Sequence, residues 1–227
     1  MDGSPIREKK YSVNQENQVI ESDGMEISIY GAIKKFTCCD NQLTALEVSK
    51  NVALTYLDCN SNQLTALDVS KNVALTYLDC NSNQLTALDV SKNVALAYLN
   101  CVYNQLTALE VSKNVALTDL DCNRNQLTAL DVSKNVELTY LDCSINQLTA
   151  LDVSNKVSLT DLYCEDNPTV TTLSIAAEYV NESVSGALET LITDATSTTG
   201  TLNIYGGDNT TVHTAATTKG WTVNANL

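Results

Sequence analysis

Apolar and polar residues alternate along the central part of the chain in a unit that repeats every 21 residues. In the unit that starts at Leu54, apolar side chains recur at Leu57 and Cys59, and again at Leu67 and Val69, with polar residues between them. Alternation with a period of two is typical of short strands that are buried on one face. Each unit therefore predicts two short parallel strands, one in each half.

Seven copies of this unit follow one another without a break. Residues 54–74 and 75–95 are identical, while the first and last copies depart most from the others, as terminal units of a stack do. One unit is too small to bury its leucines alone, so the copies must stack on a shared core. The predicted fold class is a mostly β solenoid. The cysteines that mark the register are Cys38, Cys59, Cys80, Cys101, Cys122, Cys143 and Cys164.

An asparagine follows each predicted strand, as Asn62 and Asn72 do in the second copy. A buried asparagine can bond backbone groups in turns that no strand ladder reaches. We therefore predict ladders of asparagine side chains that run along the turns of the stack.

The two halves of the unit read L-x-x-L-x-C-x-x-N from Leu54 and L-x-x-L-x-V-x-x-N from Leu64. Both resemble the leucine-rich-repeat signature, and the nested 21-residue form resembles the bacterial class called IRREKO, over about residues 33–175. The resemblance implies a curved solenoid that binds proteins or other macromolecules, often at bacterial surfaces. We accordingly expect an extracellular or cell-surface location.

The flanks divide the chain into three predicted parts. Residues 1–24 are an N-terminal flank that faintly resembles the end of a β domain, residues 25–175 are the array with an N-terminal capping strand, and residues 176–227 are a C-terminal cap. Ile27 lies 21 residues before Val48, which predicts that its strand continues the second-half register. No apolar segment follows the basic residues near the N-terminus, so we expect no signal peptide in this chain.

The cap combines helical and strand patterns. Ser185 is a predicted N-cap for a helix that runs to Ile192, and residues 201–205 alternate as a strand. A second helix is predicted over residues 212–219, ended by Gly220, with a last strand at 221–223.

Charge and composition exclude several function classes. The chain has 13 Lys and Arg against 27 Asp and Glu, for a net charge of −14, which disfavours nucleic acid because phosphate binding depends on clustered basic residues. No apolar run approaches the ~20 residues of a membrane-spanning helix. His213 is the one histidine, and the serines are repeat positions. We therefore expect no enzyme, no cofactor and a monomer.

The eight cysteines allow three interpretations. A disulfide framework and a zinc site both fit poorly, because seven cysteines form a line of parallel side chains instead of converging on a point. We favour a column of buried free thiols that act as small apolar groups. Cys39, which takes the place of Asn60, is predicted to be exposed and free.

Two columns of carboxylates are predicted on the outer side of the strands. Solvation by water and by nearby lysines is the favoured interpretation, although calcium, which prefers oxygen ligands, could also bridge such columns. The first-half column contains Asp58, Asp79, Asp121 and Asp142, and the second-half column contains Asp68, Asp89, Asp131 and Asp152 with Glu47 and Glu110.

Sequence variation among the copies is concentrated in the first half, at solvent-facing positions. Tyrosine and arginine are favoured at binding hot spots, so this variation predicts a binding face for a protein or a glycan. Drift among recently duplicated copies, or a structural spacer without a ligand, remains the alternative. The candidate binding residues are Tyr98, Asn100, Val102, Tyr103, Asp119, Asp121, Arg124, Tyr140, Asp142 and Ile145.

Overall fold

The structure, a computed structural model, describes residues 12–13, 19–22, 26–30, 32–176, 182–205 and 210–225. In this part of the chain the strands are short and two helices lie near the C-terminus. The elements are β1 (Ser12–Val13), β2 (Val19–Ser22), β3 (Glu26–Tyr30), β4 (Lys35–Thr37), β5 (Ala45–Glu47), β6 (Tyr56–Asp58), β7 (Tyr77–Asp79), β8 (Tyr98–Asn100), β9 (Asp119–Asp121), β10 (Tyr140–Asp142), β11 (Ala150–Asp152), β12 (Asp161–Tyr163), β13 (Thr172–Ala176), α1 (Glu182–Asp194), β14 (Thr201–Tyr205), α2 (Thr210–Lys219) and β15 (Thr222–Ala225).

The first-half strands form one sheet in the order β1-β4-β6-β7-β8-β9-β10-β12. All neighbours pair in parallel except β1, which lies antiparallel to β4 at the edge. The register advances by one repeat from strand to strand, so that Tyr56 lies opposite Tyr77 and Tyr77 opposite Tyr98. The predicted parallel-strand solenoid is thus confirmed.

Second-half strands form only towards the two ends of the array. β3 pairs with β5 near the N-terminus, and β11, β13, β14 and β15 form a parallel sheet near the C-terminus. In the coils between, residues 66–68, 87–89, 108–110 and 129–131 are not strands. Leu67 and Val69 are nevertheless buried on either side of the exposed Asp68. In these coils the alternation of apolar and polar residues therefore reflects burial and not strand pairing. The prediction of two strands per coil is correct only at the ends of the array.

The N-terminal strand β3 continues the second-half strands, as predicted, but in a different register. Ile27 lies opposite Leu46 and not Val48. Phe36 follows Ile27 by nine residues (36 − 27), whereas Leu57 follows Leu46 by eleven (57 − 46), so the first connection is two residues shorter. A shift of two preserves which side chains face the core, and Ile27 remains buried.

The first asparagine ladder is fully bonded. In the coil of Asn104, the side-chain amide donates to the carbonyls of Cys80, Cys101 and Val102 at 3.1–3.2 Å, and its oxygen accepts from the N–H of Leu85 at 2.9 Å. One side chain thus joins the turns of two neighbouring coils. The same arrangement recurs at Asn62, Asn83, Asn125 and Asn146.

The second asparagine ladder is only half bonded. The amide of Asn114 donates to the carbonyls of Val90 and Asn93, both at 2.9 Å. Its buried oxygen has no hydrogen-bond partner, and neither do the oxygens at Asn51, Asn72, Asn93 and Asn135. The ladder ends at Lys156, which occupies the next position in the column and is buried there, so that its pKa is lowered by burial.

The seven cysteines at the repeat position form a buried column, and all eight cysteines of the chain are free. The thiol of Cys101 lies 3.6 Å from the carbonyl oxygen of Asp121 in the next coil, and Cys122 contacts Asp142 in the same way at 3.4 Å. Burial raises the pKa of both thiols. The prediction of buried free thiols is confirmed. Cys39 is half-buried instead of exposed.

The C-terminal helices cover the last coils. α1 packs on β12 and on α2, and it begins at Glu182, three residues before the predicted N-cap Ser185. Trp221 is buried against Gly200, where an added Cβ would lie 2.5 Å from the indole ring. α2 ends before Gly220, whose φ of 88° is the left-handed conformation predicted for a helix end.

Asn104→Ala should destabilise the protein more than Asn114→Ala, although both remove a buried asparagine from the same coil. The first change leaves the buried N–H of Leu85 without its acceptor, whereas the second leaves only carbonyls that also accept backbone bonds. We expect losses of about 2–4 and about 1–2 kcal/mol in the free energy of unfolding, respectively. Urea denaturation measures both, and equal midpoints would mean that Leu85 finds another acceptor.

In the native protein, a thiol reagent should react mainly with Cys39. The rate should increase with pH because burial, with help from Asp58, raises the pKa of this thiol. Modification of all eight cysteines should require denaturant, since the thiolate is the reactive form and the others are buried. Mass spectrometry counts the modified residues, and disulfides between neighbouring ladder cysteines in the native protein would contradict the assignment.

Candidate functional site

The outward side chains of β4 and β6–β10 and β12 form a surface that we call the strand face. Its main feature is a column of tyrosines, in which the ring centroids of Tyr56 and Tyr77 are 4.1 Å apart and those of Tyr77 and Tyr98 are 4.3 Å apart. The rings are almost parallel because the register places the same residue on adjacent strands, about 4.8 Å apart. The ammonium of Lys35 lies 3.9 Å from the centroid of Tyr56 and closes one end of the column.

The column is interrupted at Asp119. A groove of about 230 Å³ occupies the gap, lined by Tyr98, Asp119, Asp121 and Tyr140. Beyond it, Tyr163 packs against Tyr140 with a centroid distance of 5.7 Å and a tilt of 46°. We call this opening the Tyr98–Tyr140 groove. It brings together four of the ten residues that sequence variation selected.

The polar candidates at the ends of the strands shape the turns that follow them. Oδ1 of Asn100 accepts from the N–H of Val102 at 3.1 Å, and Oδ1 of Asp121 accepts from the N–H of Asn123 at 3.2 Å. Asp142 bonds the N–H of Ser144 in the same way at 2.9 Å. These side chains therefore have a structural role besides any role in binding.

The two acidic columns differ in their electrostatic environment. Burial raises the pKa of Asp121 to about 6, and the carboxylates of Asp142 and Asp79 add to the rise. In the second-half column, hydrogen bonds from Ser91 lower the pKa of the fully exposed Asp89. Asp79 and Asp121 in the first-half column are thus partly desolvated, whereas hydrogen bonds stabilise Asp68, Asp89 and Asp131 in the second-half column as anions. Among the described residues, no group of three or more His, Cys, Asp or Glu is arranged to hold a metal ion.

Next to the groove, the turns carry Tyr103, Arg124 and Ile145 at equivalent positions of three coils. All three have positive φ, at 52°, 54° and 51°. The guanidinium carbon of Arg124 lies 4.8 Å from the ring centroid of Tyr103, which is 55% exposed. Val102 and Ile145 are half-buried, so they add less exposed apolar surface than the sequence predicted.

A second surface, which the sequence pattern did not predict, is a column of exposed valines. One valine per coil is exposed by 41–61% in the turn after the second half. The signal was present in the sequence, because a valine follows the second asparagine of each copy, or Lys156 where that residue replaces the asparagine. The column consists of Val52, Val73, Val94, Val115, Val136 and Val157.

Within the part of the chain that the structure describes, no helix is long and apolar enough to cross a membrane. A comparison of the sequence with curated proteins found no match. Residues 52–93 match the family described as Leucine Rich repeats (2 copies), a segment as long as two of the 21-residue coils.

Solved leucine-rich-repeat structures resemble the fold. The functional domain of InlJ from Listeria monocytogenes, which includes a cysteine ladder, is 32% identical over 85% of this chain and 44% of its own, with a TM-score of 0.52. YopM, a leucine-rich effector protein from Yersinia pestis, is 21% identical over 85% of this chain and 48% of its own, with a TM-score of 0.56. The chain thus spans about half the length of these proteins.

The 21-residue register joins the sequence and structural evidence. It sets the spacing of the parallel strands, the buried asparagines and the cysteine column, and two of its coils match the family directly. The chain is a leucine-rich-repeat protein built from nested 21-residue repeats.

Proposed function

We propose that the chain is a non-enzymatic module that binds a protein partner through the strand face and the adjoining turns. The observation that carries this proposal is the Tyr98–Tyr140 groove, an aromatic and acidic opening beside the exposed pair of Tyr103 and Arg124. Leucine-rich-repeat solenoids generally mediate protein–protein interactions, and stacked repeats offer extended binding surfaces. We further propose that the chain acts as a monomer, at the bacterial surface or outside the cell.

Composition of the surface supports a protein partner. Tyrosine and arginine provide large contact areas and dominate binding energies at protein interfaces. On the strand face, half-buried tyrosines occur in four of five successive coils, with Asp119 in the remaining one, whereas the consensus leucines are buried. The turns add Tyr103 and Arg124, so both kinds of side chain lie on one continuous surface.

Backbone strain in the turns points to the same surface. Residues other than glycine and asparagine are disfavoured at positive φ, and β-branched residues such as isoleucine are the most disfavoured. The equivalent residue is Ser61 or Ser82 in the identical coils, and Tyr103, Arg124 or Ile145 beside the groove. Retention of large side chains at strained positions is typical of sites where the side chain has a function.

Catalysis finds no comparable support among the described residues. The repeated serines lie in second-half turns, where their N–H groups bond the preceding carboxylates, as Ser91 bonds Asp89. His213 lies in α2, on the C-terminal cap. A nucleophile needs a base within hydrogen-bond reach, and the repeat positions offer none that is set apart from the others.

Glycan binding is the second candidate. The rings of Tyr98 and Tyr140 and the carboxylates between them offer the stacking surface and hydrogen-bond acceptors that sugars use. Host-protein and glycan arrays probed with the same labelled chain separate the two candidates. Binding to proteins alone supports the proposal, binding to glycans alone contradicts it, and no binding in either favours a structural spacer.

Once an array identifies a protein partner, Tyr98→Ala, Tyr103→Ala and Arg124→Ala should each weaken binding by about 1–3 kcal/mol, because truncation removes anchor side chains. Asp89→Asn and Ser91→Ala change the second-half turn of a nearby coil and serve as controls that should leave affinity unchanged. Titration calorimetry gives the affinities, and circular dichroism checks the fold. Loss of binding in the controls alone would move the site to the other side of the coil.

Ile145→Asn should stabilise the protein while it weakens partner binding. Asparagine tolerates the left-handed conformation that isoleucine does not, so we expect a gain of about 1 kcal/mol in the free energy of unfolding. Val157→Asn also replaces a β-branched residue with asparagine, at an exposed position of the same coil without positive φ, and should stay within about 0.5 kcal/mol of the parent. Urea denaturation of both variants tests the strain, and equal changes would argue against it.

A further inference from the structure

We propose that the Tyr98–Tyr140 groove binds the guanidinium group of an arginine presented by the protein partner. The guanidinium would lie between the two tyrosine rings, with the carboxylates of Asp119 and Asp121 as its counter-ions. This inference rests on the proposed function, because it names the chemical group by which the strand face recognises its partner.

The width of the groove suits a flat group. Tyr98 and Tyr140 lie on β8 and β10, two strands apart, so their backbones are about 9.6 Å apart at twice the strand spacing. A planar group held midway between the two side chains would lie about 4.8 Å from each. On the neighbouring turn, the guanidinium of Arg124 stacks on Tyr103 at 4.8 Å. The groove therefore offers, on both sides, the stacking distance that this surface already uses for an arginine.

The charge of the groove selects a cation. Asp119 and Asp121 line it, and the carboxylates of Asp79 and Asp142 lie close enough to raise the pKa of Asp121. At the other end of the tyrosine column, the face of Tyr56 is covered by the ammonium of Lys35. A cation in the groove would complete the same pattern at the face of Tyr98 that points away from Tyr77.

The carboxylates keep the capacity to accept bonds from such a cation. Asp119 accepts one bond through Oδ2 from the hydroxyl of Thr118, and Asp121 accepts one through Oδ1 from the N–H of Asn123. An ionised carboxylate has about four acceptor sites, so each retains several. The guanidinium has five donors in one plane, which match two carboxylates at the floor of a narrow groove better than the compact ammonium of lysine does.

A neutral ligand fits the electrostatics less well. A sugar would cover the partly desolvated Asp121 without supplying an opposite charge, and covering a carboxylate in this way costs free energy. An arginine supplies the missing charge and, through its flat face, the stacking on aromatic rings.

The first experiment uses an acetylated and amidated Gly-Arg-Gly peptide as the probe, with its citrulline and lysine analogues as controls. Citrulline has the shape of arginine without its charge. We expect weak binding of the arginine peptide, detected by NMR shifts of tyrosine ring protons, with at least 10-fold weaker binding of the citrulline peptide and several-fold weaker binding of the lysine peptide. Equal binding of the arginine and citrulline peptides, or no binding of the arginine peptide, would overturn the proposal.

Affinity for the arginine peptide should increase as pH rises from 5 to 7. The pKa of Asp121 in the free protein is about 6, so the carboxylate gains its charge over this interval, while the guanidinium stays charged throughout. The titratable groups that interact with Asp121 are the carboxylates of Asp79 and Asp142, the hydroxyls of Tyr98 and Tyr140, and the thiols of Cys101 and Cys122. An affinity that is constant or decreases over this range would contradict the assignment.

Asp119→Tyr provides the decisive variant because it restores tyrosine at the interrupted position. The new ring matches the residue present in neighbouring coils, so the variant should fold, fill the groove and lose at least 10-fold in affinity for the peptide. Asp161→Tyr is the matched control, since Asp161 occupies the equivalent position of β12, outside the groove, and should leave affinity unchanged. Unchanged peptide binding by Asp119→Tyr would place the peptide elsewhere and overturn the proposal.

Partner binding by Tyr103→Ala and Asp119→Tyr distinguishes a role of the groove from a role of the strand face as a whole. If Tyr103→Ala weakens binding of the protein partner but Asp119→Tyr does not, the strand face binds the partner without using the groove. If neither change affects partner binding, the proposed function itself is wrong. Binding of neutral oligosaccharides in the groove, with no dependence on pH between 5 and 7, would assign the groove to a glycan instead.

Discussion

The rest of the structure depends on the fixed 21-residue register between neighbouring coils. The parallel sheet places equivalent residues one strand spacing apart, as it does for Leu57 and Leu78. Every repeat position therefore becomes a column with one environment along the stack. Leucine and cysteine columns form the core, asparagine columns bond the turns, and tyrosines form a half-buried column of stacked rings on the strand face. A substitution at one position therefore changes the contacts of the equivalent residues in the two adjacent coils.

The two asparagine ladders stabilise the two sides of a coil to different extents. On the first-half side, Asn104 and its equivalents meet all their bonds and fasten each turn to the next coil. On the second-half side, the buried oxygens of Asn93 and Asn114 stay without partners, which makes these turns less favourable. The fully bonded turns are the ones that hold residues at positive φ. Strong backbone bonding can thus maintain a strained Ile145 beside the groove.

The periodicity of the sequence predicted those features of the fold that depend only on which side chains are buried. The repeat, the free cysteine column and the inward leucines follow from alternation, and the structure contains them. It could not separate a strand from an extended segment, because residues 87–89 alternate in burial without pairing. It could not rank the carboxylates either, since Asp121 and Asp89 look alike in the sequence, yet one is half-buried and the other accepts bonds in open solvent. The binding role of the ten candidate residues stays a prediction.

The interruption of the tyrosine column also has a physical consequence of its own. Three stacked rings from Tyr56 to Tyr98 cover one another, and only the outer faces of the column remain available. One outer face is taken by Lys35. A continuous column would bury the other against the next tyrosine, whereas Asp119 leaves it open and adds a charge beside it. In a solenoid of nearly identical coils, a single substitution can therefore convert a uniform surface into a localised groove without a change of fold.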